Sequence, residues 1–225
     1  MPIPPTAAVA DAAVRLGVPV AIAPPALLPV VPGGLFAGPA MPVTHAGSVD
    51  VFLEAIDDAP PGAVLVVDNG GRQDEACVGD LVVLEAASAG LSALVVWGRH
   101  RDTAELRRIG LPVHSLGARS FGPRRVQPAG PAMRVAFLDG VPVTADHVLV
   151  GDDDGVLVLP AGEQDRLFSL ALQIQETEGR QARRMADGES LRAQLDFAGY
   201  RRKQAADPSM TLRKHLAERG GAIET

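Results

Sequence analysis

Two uncharged runs, Ala63 to Val67 and Ala93 to Trp97, each open into a polar turn. The first turn is Asp68-Asn69-Gly70-Gly71 and the second is Gly98-Arg99-His100-Arg101-Asp102. Runs this short without a polar face must be covered on both sides, as in the parallel strands of an α/β sheet. Between them Leu81 to Ala89 reads as a helix closed by Gly90. Thr103 to Ile109, stopped by Gly110, repeats the helix, and Pro112 to Leu116 repeats the strand. Alternating units of this kind predict an α/β domain.

The flanking segments extend the pattern. Val49, Phe52, Leu53 and Ile56 recur at helical spacing behind Ser48 as N-cap, and Pro60-Pro61 stops them. Thr6 to Leu16 predicts a helix with Thr6 as N-cap and Gly17 as its stop. Residues 16 to 44 carry no charge, but Pro19, Pro24, Pro25, Pro29, Pro32, Pro39 and Pro42 exclude a membrane-spanning helix there. Leu35 to Val43 predicts a strand broken at Gly38-Pro39. Beyond a Gly-, Pro- and Arg-rich loop at 117 to 132, Asp139-Gly140 and Asp154-Gly155 mark hairpins, so antiparallel strands join the parallel ones. Glu163 to Met185 predicts a long helix ending near Gly188, and the charged remainder to Thr225 is expected to need a partner surface.

The net charge of -6 argues against a nucleic-acid surface, despite local clusters such as Arg183-Arg184 and Arg201-Arg202-Lys203. A single cysteine, Cys77, excludes an internal disulfide, and the amino terminus lacks a basic stretch ahead of its apolar residues. A cytoplasmic protein that uses neither nucleic acid nor membrane is the expectation.

Strand ends that open into loops are where α/β scaffolds carry chemistry. A nine-residue helix leads about 14 Å away from Asp80, and the strand from Ala93 returns about 16 Å. Asp80 is therefore expected beside Arg101 and Asp102. The amides of Gly79, Asp80, Leu81 and Val82 would sit at a helix amino terminus, which favours an anion, and Arg101 offers a planar fork for a carboxylate. Two carboxylates suit a hard divalent ion. The plainer alternative makes Asp80 and Asp102 helix caps and Arg101 a surface partner of Glu105.

The stretch Asp80, twenty residues, Arg101-Asp102 resembles the signature of the class II pyruvate aldolases related to 4-hydroxy-4-methyl-2-oxoglutarate (HMG) aldolase, a family that shares its fold with the ribonuclease regulator RraA. "GGLFAGPAMPV" at 33–43, "GGRQDEACVGD" at 70–80 and "DDDGVLVLP" at 152–160 match it in order. The resemblance implies a single α/β domain of the swivelling β/β/α type over residues 1–190, with mixed parallel and antiparallel strands and a long carboxy-terminal helix. Residues 191–225 would be an extension packed on a homotrimer or dimer of trimers. It further implies Mg²⁺, with Mn²⁺ as substitute, bound directly by Asp102 and through water by Asp80. Arg101 would contact the keto and carboxylate oxygens of a small 2-oxo acid, whose carboxylate would meet the amides of Gly79, Leu81 and Val82. An acidic residue reaches the site from a neighbouring subunit in that family; Glu178 is the candidate by position, with Glu176 almost as well placed.

This chain departs from the family at Trp97, where relatives carry a small or acidic residue, and at Arg99-His100, which would narrow the pocket or favour a more acidic substrate. His45, His100, His114, His147 and His215 have no metal-ligand spacing and read as surface or loop residues. Cys77 reads as a small packed residue, and Gly151 to Gly155 as a hairpin turn rather than a calcium loop. Three functions are thereby in play: a metal-dependent lyase releasing pyruvate by retro-aldol cleavage or oxaloacetate decarboxylation, a non-catalytic regulator that binds a protein such as a ribonuclease, and an unrelated reaction on the same scaffold.

Overall fold

The computed structural model describes residues 2–124 and 135–219. Residues 125–132 of the predicted loop and 220–225 of the predicted extension lie outside them.

Four strands run parallel in the order Phe36–Thr44, Val64–Asp68, Ala93–Trp97 and Val113–Ser115. Thr44, Asp68 and Trp97 stand in register, so three carboxyl ends open at one level. On one side the sheet continues antiparallel through His147–Asp152, Gly155–Pro160 and Ala21–Ile22; on the other it ends in Leu28–Pro29. The two uncharged runs lie at its centre, and alternation sorts their side chains. Leu65, Val67, Leu94 and Val96 join Phe52, Val83, Ala86 and Leu106 from the covering helices. Val64, Val66, Ala93 and Val95 join Ala136, Leu138 and Val143 of the hairpin formed by Val135–Leu138 and Val141–Thr144 on the opposite face. All eight are fully buried, and each Val or Leu contributes about 1.5–3 kcal/mol. This mixed α/β architecture, with the long helix Gln164–Ala186 after the last strand, is the fold class predicted.

Three local expectations are corrected. The strand Phe36–Thr44 is continuous through Gly38-Pro39. Residues 36–39 pair with His147–Asp152 and residues 40–44 with Val64–Asp68, so the missing N–H of Pro39 falls where one ladder gives way to the other. A Cβ at Gly38 would stand 1.9 Å from the Gly62 carbonyl oxygen, and this close approach is what requires glycine. Thr6 is the first helical residue, not the cap. Its amide and hydroxyl donate to the Asp152 carboxylate at 2.8 and 2.6 Å, a partner distant in sequence that tethers the helix to the Asp152–Gly155 turn. The helix Asp50–Asp57 starts behind Val49 rather than Ser48 and has no side-chain cap.

Two compact units divide at Phe168/Ser169. In the second, beyond the long helix, Leu191–Gln194, Phe197–Ala206 and Leu212–Glu218 are helices capped by the side chains of Ser190, Asp196 and Thr211. Asp196 also pairs with Arg219 at 3.2 Å, and Tyr200 packs near the buried His215. Among the described residues no helix is long and apolar enough to cross a membrane.

Candidate functional site

A short parallel ladder brings the two halves of the signature together. Ala76–Val78 pairs with Arg99–His100, and the Arg101 amide donates to the Val78 carbonyl at 2.9 Å. The next residues of both segments, Gly79-Asp80 and Arg101-Asp102, are thereby neighbours. Asp80 opens the helix Asp80–Ser88, and its amide donates to Asp102 Oδ2 at 3.4 Å. The same oxygen lies 3.3 Å from Arg101 Nε. Asp80 Oδ1 accepts from the Leu81 amide at 2.8 Å, which engages one of the amides assigned to substrate. The Leu81 side chain is exposed and Val82 is buried.

Asp102 has φ 60° and ψ 40°, left-handed backbone for a residue with a Cβ, at a cost of order 1–3 kcal/mol. It precedes the helix Thr103–Ile109 but makes no side-chain cap. Its side chain is 35% exposed and that of Arg101 49%, so both are reachable from solvent. The surface pair of the plainer reading does not form, because Glu105 is taken by Arg108 at 2.8 Å. Two glycines make room for these side chains. A Cβ on Gly79 would come within 2.7 Å of Asp102 Oδ2 and 3.1 Å of Arg101 Nε, and one on Gly122 within 2.9 Å of Arg101 Nη1. Gly79→Ala is therefore expected to displace both side chains and, if they form the active site, to lower activity at least about tenfold while the melting temperature moves by only a few degrees. Steady-state rates beside thermal unfolding check this, and unchanged rates would deny the cradle any role.

The donor set fits a hard cation. Among the described residues, Asp80 Oδ2 and Asp102 Oδ1 have no hydrogen-bond partner, and Mg²⁺ binds through one or two carboxylates while keeping several waters. Among the described residues no group of three or more His, Cys, Asp or Glu is arranged to hold a metal ion, and an ion on these two carboxylates would take its other oxygens from substrate and water. Glu176 and Glu178 lie on the exposed part of the long helix. Glu176 is paired with Arg180 at 2.9 Å, whereas Glu178 has no ion pair among the described residues.

The reading of the histidines is corrected. His45, His100, His114 and His215 are buried. His45 Nδ1 lies 2.9 Å from Asn69 Oδ1, which also accepts from Arg72 at 2.8 Å, and Arg72 pairs with buried Glu75. This polar cluster fixes the turn after Val64–Asp68. Burial holds the His45, His100 and His114 imidazoles below their usual range. Cys77 is buried as expected, and desolvation pushes its thiol up to about 12, which removes it as a nucleophile. Arg99 donates to Gln73 Oε1 at 2.7 Å, and Trp97 packs beside Gly71.

Residues 6–158 match the family model RraA-like, described as Aldolase/RraA. A candidate 4-hydroxy-4-methyl-2-oxoglutarate aldolase of Halalkalibacterium halodurans is 29% identical over 161 residues, covering 71% of this chain and 76% of its own length. Among solved structures, an uncharacterised protein of Pseudomonas syringae pv. tomato superimposes with a TM-score of 0.73 at 25% identity, covering 84% of this chain and 90% of that one. The RNA-processing inhibitor RraA of Thermus thermophilis gives 0.60 at 25% identity, covering 68% and 92%. With two thirds of its length under the family model and the fold shared with these structures, the chain belongs to the RraA-like family of aldolases and RraA proteins.

Proposed function

We propose that this protein is a divalent-metal-dependent lyase that cleaves a short 2-oxo acid to pyruvate, by retro-aldol cleavage of HMG type, by decarboxylation of oxaloacetate, or both. The observation that carries the reading is the convergence of Asp80, Arg101 and Asp102 at a strand end, with Asp102 held in left-handed backbone over a glycine.

In this reading Asp102 would hold Mg²⁺ or Mn²⁺ directly, and Asp80 would hold it through water. The ion supplies Lewis-acid charge beside the oxygen on which negative charge develops. Arg101 grips the keto and carboxylate oxygens through its planar fork, and the amides of Gly79 and Val82 orient the carboxylate, joined by that of Leu81 when Asp80 Oδ1 releases it. Asp80 steers a water that delivers or removes the proton at the reacting carbon or hydroxyl. Glu178 of a neighbouring copy would reach the metal through water, which requires an oligomer, most simply a closed ring such as a trimer or dimer of trimers, with residues 191–225 packed on the assembly. Light scattering at micromolar concentration is expected to give the mass of three or six chains; a monomer would remove Glu178 from the mechanism.

The test is pyruvate release from HMG and from oxaloacetate with Mg²⁺ or Mn²⁺, and its loss in EDTA. Absence of turnover on both substrates with either metal would leave the regulator, of the kind named for the Thermus relative, as the better account.

A further inference from the structure

We infer that His100 is a positioning residue for Asp102, acting through Thr103. His100 stands immediately before Arg101-Asp102, yet its side chain turns inward and is only 4% exposed. Nδ1 lies 2.7 Å from the hydroxyl of Ser115, a fully buried residue of the strand Val113–Ser115. Nε2 lies 2.9 Å from the hydroxyl of Thr103, the first residue of the next helix. The imidazole therefore bridges from the sheet to the far side of the Arg101-Asp102 pair.

The backbone around it is equally tied. The His100 amide donates to Gly117 O at 3.1 Å, and its carbonyl accepts from Arg119 at 2.7 Å. Arg101 N is held by Val78 O. Asp102 alone in this turn has unfavourable backbone, and it lies between two anchored residues: Arg101 on the ladder and Thr103 under the imidazole. Without the Thr103 tie, the first helical turn can shift and Asp102 can relax out of the left-handed region, carrying its carboxylate away from Asp80 N and Arg101 Nε. Serine and threonine hydroxyls donate or accept, so either imidazole tautomer closes both bonds and the role does not depend on titration. The consequence for metal binding rests on the reading of Asp102 given above; the consequence for backbone does not.

Three variants separate the tie from packing. His100→Gln can place a polar atom where Nε2 stands and keep Thr103, His100→Asn can keep only Ser115, and Thr103→Val removes the hydroxyl from an otherwise intact helix start. Crystal structures report the Asp102 φ, and titration with Mn²⁺ alone reports affinity. Asp102 is expected to leave positive φ in His100→Asn and Thr103→Val, with Mn²⁺ affinity falling about 10–100-fold, as when a group orienting a metal ligand is lost. His100→Gln is expected to stay within about threefold of wild type. Retention of the Asp102 conformation in both damaging variants would overturn the inference, whatever their melting temperatures. Wild-type protein that binds no Mn²⁺ would instead count against the metal reading, and the Asp102 backbone would then decide the role of His100 by itself.

Discussion

Asp102→Asn is expected to lose at least about 100-fold in metal-dependent kcat/KM, about 2.7 kcal/mol of transition-state stabilisation. Asparagine is the substitution that isolates the charge, because it tolerates the left-handed backbone that Asp102 occupies (φ 60°) and keeps nearly the same shape over Gly79. Alanine would add the backbone cost to the loss of the ligand. Stability should change little, because the side chain is one-third exposed and its contacts are a 3.4 Å hydrogen bond and a 3.3 Å ion pair at the surface. The variant is checked by kinetics on oxaloacetate together with thermal unfolding. If it keeps more than about a tenth of the wild-type rate, Asp102 is not the metal ligand.

Arg101→Lys is expected to cost roughly 2–4 kcal/mol in kcat/KM, while Arg99→Lys stays close to neutral. The two arginines flank His100 and look interchangeable in the sequence, but the fold parts them. Arg101 turns to Asp102 over Gly79 and Gly122, whereas Arg99 donates to the side chain of Gln73. An ammonium cannot reproduce the two-pronged contact to a keto acid, so lysine removes at position 101 what it need not supply at position 99. Kinetics of both single variants under identical conditions separate the cases. Equal and small losses at both positions would mean that neither guanidinium meets substrate.

The sheet was legible because its centre obeys two simple rules. Val64 to Val67 and Ala93 to Val96 are short, uncharged and fully buried, and glycines such as Gly90 and Gly110 close the helices that follow each of them. The approach of Asp80 to Arg101-Asp102 followed from a helix and a strand of nearly equal reach. Local patterns failed where a distant partner competed. Thr6 is claimed by Asp152, and the Gly38-Pro39 pair reads as a break until the Gly62 carbonyl and the change of ladder are seen. The buried histidines were illegible for a related reason. His100 is bonded at both ring nitrogens, by Ser115 and Thr103, and His45 and His114 at one each, by Asn69 and the Asp152 carbonyl, partners that only the folded chain brings near. In sequence, an imidazole in a core and one on a surface look the same.

The central claim is that this chain itself supports metal-dependent cleavage at Asp102, and the most direct test is a Mg²⁺ titration of pyruvate release from oxaloacetate by EDTA-treated wild type and Asp102→Asn side by side. The variant serves as the blank for decarboxylation by free Mg²⁺. Wild type is expected to show no turnover above that blank without metal and a saturable gain as Mg²⁺ is restored, while the variant follows free Mg²⁺ alone. Indistinguishable curves for the two proteins on oxaloacetate and, in the same titration, on HMG, or wild-type turnover that persists in EDTA, would contradict it.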